Sequence, residues 1–181
     1  VYNNAPDLGR WLDSILSQTY EFIEIVIIND GSSDQSEIIV KSYLKKYPDQ
    51  LIYCYQENQG VSKARIEGVR RASGEWIGFV DADDEIETDM YERLMANAGA
   101  YHADISHCGY QQVFSDGRTA FFHNTGETEV MQHNDALREL LKGERVEPSL
   151  GNKLFRRRLF SEILSRDSID LEIGRASCRG R

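Results

Sequence analysis

Three carboxylates stand almost side by side in the stretch "GEWIGFVDADDEIETDM", residues 74–90: Asp81, Asp83 and Asp84. They follow the apolar run 76–80, which reads as a strand buried on both faces. Like charges this close oppose one another's ionisation unless water or a cation shares them. One reading is a solvated acidic turn ahead of a helix capped by Thr88. The other is a site for a divalent metal, because Mg2+ and Mn2+ take oxygen ligands, often one or two carboxylates plus substrate phosphates. In an extended segment Asp81 and Asp83 would point to the same side.

The elements that must position this cluster follow from periodicity. Leu8, Trp11, Leu12, Ile15 and Leu16 fall at helical spacing within 7–18. The β-branched run 22–28 predicts a buried strand ending in the polar turn "NDGSSD", 29–34. Ser33 or Asp34 can cap a helix over 35–46 carrying Ile38, Ile39 and Tyr43. A short strand over 51–55 and a helix over 61–72, with Val61, Ala64, Gly68, Val69 and Ala72 inward, precede the strand at 76–80. A helix over 88–99 follows. Alternating strands and helices predict an α/β fold, an open and mostly parallel sheet with helices on both faces. Ligands of such sheets bind outside the carboxyl ends of the strands, which is where "NDGSSD" and the acidic cluster fall.

After residue 100 the pattern changes. Residues 105–114 alternate loosely, "SDGR" at 115–118 reads as a hairpin turn, and 119–123 as the returning strand. A helix over 134–142 carries Ala136, Leu137, Leu140 and Leu141. "GNKLFRRRLF", 151–160, mixes apolar and basic residues. This half is expected to be an antiparallel extension of the same domain.

The chain has 181 residues, enough for one domain with a sizeable core. Its formal net charge of −9 argues against a nucleic-acid partner, since phosphate backbones are met by basic faces. A small phosphorylated ligand remains compatible if a metal and local arginines supply positive charge. Cys54, Cys108 and Cys178 lie far apart and make neither a disulfide framework nor a metal-ligand spacing. No apolar run approaches the roughly 18 residues of a membrane span. His102, His107, His123 and His133 have no metal-like spacing, and Arg156, Arg157 and Arg158 read as a solvated face.

Four features occur in order: Tyr2-Asn3, "NDGSSD" at 29–34, "ENQGVSKAR" at 57–65 and "GEWIGFVDADD" at 74–84. Together they resemble the inverting nucleotide-diphospho-sugar glycosyltransferases of family 2, of the Rossmann-like GT-A fold. The match covers roughly residues 1–90, with "GNKLFRRRLF" similar to a later family segment. The resemblance implies roles. Tyr2 would lie near the base of the nucleotide, Asp30 would hydrogen-bond uracil, and Asn58 and Arg65 would stand near the nucleotide. Asp81 would hold ribose, Asp83 the Mn2+ or Mg2+ ion at the diphosphate, and Asp84 would face the donor sugar. It further implies a saccharide or lipid-linked acceptor in cell-surface polysaccharide synthesis and a cytoplasmic location. Peripheral membrane association and homo-oligomerisation stay open.

The division expected is one domain over 1–173, with a donor-binding half at 1–90 and an acceptor-side half at 91–173; 174–181 would be a tail outside the fold. Two features of the family are missing. The strand that precedes its Tyr-Asn pair is absent, and no base motif follows "GNKLFRRRLF". Asp170 and Glu172 are poor candidates for that base, so the chain is expected to bind donor with little transfer. Two alternatives compete. One is a nucleotide-sugar-binding domain without catalysis. The other is an aspartate-dependent phosphatase, which would want threonine or valine where Glu85 stands.

Overall fold

The computed structural model describes residues 1–123, 125–143 and 145–165. Helix α1 (Ala5–Leu16) opens with Pro6 in its first turn, where a missing N–H leaves no bond unmade. It buries Leu8, Trp11, Leu12 and Ile15 along one face. Strand β1 (Ile25–Asp30) pairs in parallel with β2 (Leu51–Gln56), in register from Ile25↔Leu51 to Asp30↔Gln56. Helix α2 (Ser36–Lys46) makes the crossover, and α3 (Val61–Arg71) follows β2.

Alternation along β1 directs its side chains to two layers. Ile25 and Ile27 join Leu8, Leu12, Val40 and Leu51 in one core. Ile28 points the other way and meets Gly68 of α3, 3.7 Å from where a Cβ there would sit. Helices therefore cover both faces of the parallel pair, as the sequence pattern predicts.

Several boundaries move. The β1 ladder starts at Ile25, whose N–H donates to the Gln50 carbonyl (2.8 Å). Phe22, expected in a buried strand, is 84% exposed and packs edge-on to Tyr20. Ile38 is also exposed, because the inward face of α2 runs through Ile39, Val40, Tyr43 and Leu44. Val61, in the first turn of α3, is exposed rather than inward. Helix α4 (Met90–Ala100) is preceded by Asp89 at its N-cap, not by Thr88, whose carbonyl instead accepts the Thr19 N–H.

Strand β3 (Trp76–Gly78) is shorter than expected, with Ile77 buried and Gly78 exposed. It pairs antiparallel with β7 (Lys153–Arg156), which lies between β3 and β4 (Ile105–His107). The segment "GNKLFRRRLF" thus supplies the middle strand of a three-stranded sheet that ties the two halves of the chain together. Of its arginines only Arg158 is exposed as a solvated face would be; Arg156 and Arg157 are half-buried. Arg156 lies 4.8 Å over the Trp76 ring and bonds Glu75 at 2.9 Å. Arg158 holds both oxygens of Asp104, at 2.6 and 2.8 Å.

The hairpin forms at the expected turn, but 105–114 is not one strand: Ile105–His107 is β4, paired with β7, and only 110–113 enters the hairpin. β5 (Tyr110–Val113) pairs antiparallel with β6 (Thr119–Phe122) across a turn with Gly117 at φ +82°. Helix α5 (His133–Lys142) leaves Leu137, Leu140 and Leu141 exposed. A 3₁₀ turn (Arg157–Phe160) and α6 (Ser161–Ser165) close the described residues. The expected tail at 174–181 lies outside them.

Met90, Tyr91 and Leu94 of α4 pack with Leu154 of β7 in a second core. Tyr91 fits because Gly78 has no side chain: a Cβ there would sit 2.6 Å from the Tyr91 hydroxyl. Gly78→Ala is expected to destabilise the fold by about 1–3 kcal/mol, the usual range for overfilling a packed core. Urea unfolding measures it, and adding Tyr91→Leu should recover part of the loss.

Candidate functional site

The site forms where the carboxyl ends of β1 and β3 meet. Val1 makes a parallel bridge to β1: its amino group donates to the Ile28 carbonyl (2.8 Å) and its carbonyl accepts the Asp30 N–H (2.9 Å). The chain then turns at Asn3, which adopts φ 51°, a left-handed conformation that asparagine tolerates better than most residues. Three contacts latch this turn onto the "NDGSSD" loop. Asn3 Oδ1 accepts the Ser33 N–H (2.8 Å), Ser32 Oγ accepts the Asn3 N–H (3.0 Å), and Asp34 Oδ2 accepts the Ala5 N–H (2.9 Å). The Tyr2 ring is left half exposed on the cleft wall.

Asp30 is 4% exposed and its carboxylate is densely bonded. Oδ1 accepts Gln56 Nε2 (2.6 Å) and the Gln59 N–H (2.9 Å), and Oδ2 accepts the Gly60 N–H (2.9 Å). Asn58 Nδ2 donates to the Asp30 carbonyl (3.0 Å). One aspartate thus fastens the whole 56–60 loop to the end of β1. Gly31 permits the approach: with φ +77°, a Cβ there would lie 2.8 Å from the Asn58 nitrogen.

The acidic segment is a turn and not an extended stretch. The Asp84 N–H donates to the Asp81 carbonyl (3.0 Å) and closes it. The expectation that alternation alone would align Asp81 and Asp83 therefore fails, although both side chains line the same cleft. Arg65 Nη2 holds Asp81 Oδ1 at 2.6 Å. Among the described residues Asp83 has no hydrogen bond or ion pair. Partial burial, then the Asp83 and Asp81 carboxylates, push the Asp84 carboxyl above the ordinary range.

A raised carboxyl is harder to ionise in the folded chain than in the unfolded one. Its ionisation therefore weakens the fold as pH rises from the unfolded value, roughly 3.9, to the raised folded value. Asp84→Asn is expected to raise the thermal midpoint at pH 7 and leave it unchanged near pH 3. A ligand-free melting series checks this, and an equal shift at both pH values would remove the electrostatic cause.

Tyr2, Asp30, Asn58, Arg65, Asp81 and Asp83 all border one cleft of about 1120 Å³, which continues between β1 and β3. Five of these were expected near the nucleotide and Asp83 at the metal. Asp84 lies beyond them, against the turn before β7. Among the described residues no group of three or more His, Cys, Asp or Glu is gathered to hold a metal by itself. The donor set fits a cation only with help from a ligand: Asp83 has an open carboxylate and Asp81 stands beside it, and hard cations accept one or two carboxylates completed by phosphate oxygens. Gln56 and the Gln59 and Gly60 amides were not foreseen. The only signal for them was an Asp and a Gly flanking adjacent strand ends.

The Glycosyl transferase family 2 model matches residues 1–164. The chain belongs to glycosyltransferase family 2. It is 35% identical to glycosyltransferase GlyA of Streptococcus pneumoniae over 170 residues, covering 90% of this chain and 24% of that protein. It is 36% identical to the minor teichoic acid biosynthesis protein GgaB of Bacillus subtilis over 121 residues, 66% of this chain and 13% of that one. The structure of S. aureus TarS 1–349 in complex with UDP-GlcNAc superposes with a TM-score of 0.71 at 26% identity, over 90% of this chain and 45% of that one. The family 2 chain described here thus spans less than half the length of these proteins. The match confirms the GT-A fold.

Proposed function

We propose that this chain is the donor-binding part of a metal-dependent, inverting glycosyltransferase. It would take a UDP-sugar as donor and a saccharide or lipid-linked acceptor in cell-surface polysaccharide synthesis. The observation that carries the reading is the single cleft bordered by Asp30, Arg65, Asp81 and Asp83. An acceptor for a base, a cation for phosphate and carboxylates for a metal all border it. The TarS complex with UDP-GlcNAc and the teichoic acid protein GgaB support the donor and the pathway class.

The residues divide the work. A carboxylate offers about four acceptor positions, and three at Asp30 are used within the chain. The fourth suits the N3–H of uracil, with Tyr2 alongside. Arg65 and Asp81 neutralise one another in the resting cleft; with ligand present, Asp81 serves ribose hydroxyls and Arg65 the phosphate charge. Asp83, beside Asp81, would hold the cation. A divalent ion there supplies electrostatic stabilisation of the departing diphosphate. Inversion also needs a base for the acceptor hydroxyl; the weak candidates Asp170 and Glu172 lie outside the described residues. Among those residues no helix is long and apolar enough to cross a membrane. A lipid-linked acceptor would be met from the cytoplasmic face, by peripheral contact.

A panel of nucleoside diphosphate sugars with Mn2+ tests the reading by thermal shift. A ligand at about 100 times its dissociation constant adds roughly 2.7 kcal/mol, so a UDP-sugar should raise the midpoint visibly and other nucleotides less. A panel without any shift would defeat the proposal.

A further inference from the structure

The cleft does not end at its carboxylates. Its inner part runs between β1 and β3, and there the sheet is split: β1 pairs with β2 and β3 with β7, but not with each other. The Ile25 N–H points to the β2 side, where it meets Gln50, so the backbone groups of Val26 and Ile28 point into the gap. On β3 the Glu75 carbonyl accepts the Arg157 N–H on the β7 side, so the backbone groups of Trp76 and Gly78 point away from β7. Unpaired strand edges are templates for an added strand. Val1 shows the geometry at one end of the gap. Its bonds to the Ile28 carbonyl and the Asp30 N–H are rungs of a parallel ladder that set it opposite Asn29. Opposite Ile25 to Ile28 the ladder stays open, over about 13 Å.

Both faces of the gap are apolar. Trp11 and Ile15 line it from α1, which packs on the Ile25 and Ile27 side of β1; Ala64, Gly68 and Val69 line it from α3, on the Ile28 side. A strand covered on both faces is apolar at every position, not at alternate ones. The mouth at the amino ends of β1 and β3 is acidic. Glu21, Glu24 and Glu75 border it, and Arg156 offsets Glu75 alone. Residues 166–181 carry a charge within every run of four, so they hold no all-apolar stretch of that length.

We propose that the gap is a binding site for an extended peptide of another polypeptide, a run of about four apolar residues with a basic flank at its amino end. It lies parallel to β1 and ends at Val1. Backbone bonds to Val26, Ile28, Trp76 and Gly78 hold it, the apolar faces reject polar side chains, and the acidic mouth selects the flank. The site is independent of what the carboxylates at the other end bind.

Both tryptophans of the chain, Trp11 and Trp76, border the gap, so their emission reports its filling. The probe is the peptide Lys-Lys-Val-Ile-Val-Ile, acetylated and amidated, titrated into the full chain. A saturable change in emission and a rising melting midpoint are expected. Proline in place of the first isoleucine removes a ladder donor and should weaken binding by about tenfold. Glutamates in place of the lysines should weaken it at low salt, with the difference shrinking as salt is added. A chain carrying the same peptide joined directly ahead of Val1 fills its own gap; it should melt higher and give no response to added peptide.

No change in emission, or equal binding of the proline peptide, would overturn the strand site. A full response in the extended chain would put the peptide elsewhere and overturn it as well. Equal binding of the lysine and glutamate peptides would remove the acidic mouth from the proposal. Sedimentation showing a dimer that excludes the peptide would give the gap to a second copy and overturn its assignment to another polypeptide.

Discussion

Excess chelator is expected to abolish UDP binding by this chain, and Mn2+ or Mg2+ to restore it. The reason is electrostatic. Asp81, Asp83 and Asp84 lie within one turn, and the whole chain carries a formal charge of −9. Arg65 is already committed to Asp81. A diphosphate brought beside these carboxylates without a cation meets repulsion. Two unit charges about 4 Å apart repel by roughly 4 kcal/mol at an effective dielectric near 20. One such contact weakens binding by about a thousandfold. Titration calorimetry with Mn2+, and then with chelator, reads the difference directly. Asp83→Ala should bind UDP weakly and to the same extent in both conditions, since the open carboxylate is gone. Asp84→Asn should keep its dependence on the ion. Equal affinity for UDP with and without chelator in the unsubstituted chain would remove the metal from the account.

The sequence made the first half of the fold legible because its elements are local and regularly spaced. The Leu8, Trp11, Leu12 and Ile15 stripe of α1 and the run of β1 carry their own period, and the parallel pair follows from the helix between the strands. What it hid depends on partners distant in sequence. β7 is masked by Lys153 and Arg156, residue types that normally mark a surface. Lys153 is buried because carbonyl groups receive its ammonium, and Arg156 and Arg158 are held by Glu75 and Asp104. Neither circumstance shows in a linear pattern. The same holds at the site. Asp30, Arg65, Asp81 and Asp83 were legible as residue types at strand ends. The binding of Asp30 to the 56–60 loop was not, since two of its three donors are backbone amides of no particular residue type.

Those contacts give Asp30 two separable duties, and its replacement is expected to show both. Asp30→Ala leaves Gln56 Nε2 and the Gln59 and Gly60 amides without their acceptor. Each unsatisfied buried donor costs about 1–3 kcal/mol. The cleft admits water to part of the loop, so a total loss of about 2–4 kcal/mol is expected, read as a lower urea midpoint. Asp30→Asn separates the second duty from the first, because it keeps the volume and one oxygen to accept a loop amide. Its other position becomes a donor. Uracil presents N3–H to the cleft, which suits a carboxylate; cytosine presents an unprotonated N3, which a carboxylate repels and an amide N–H satisfies. The unsubstituted chain should therefore prefer UDP to CDP. Asp30→Asn should lose about tenfold of that preference or more, about 1.4 kcal/mol. Competition binding of UDP and CDP at saturating Mn2+, with the fold checked by its melting curve, measures the ratio. A folded Asp30→Asn protein that still prefers UDP as strongly as before would show that Asp30 only fastens the loop, and that some other group selects the base.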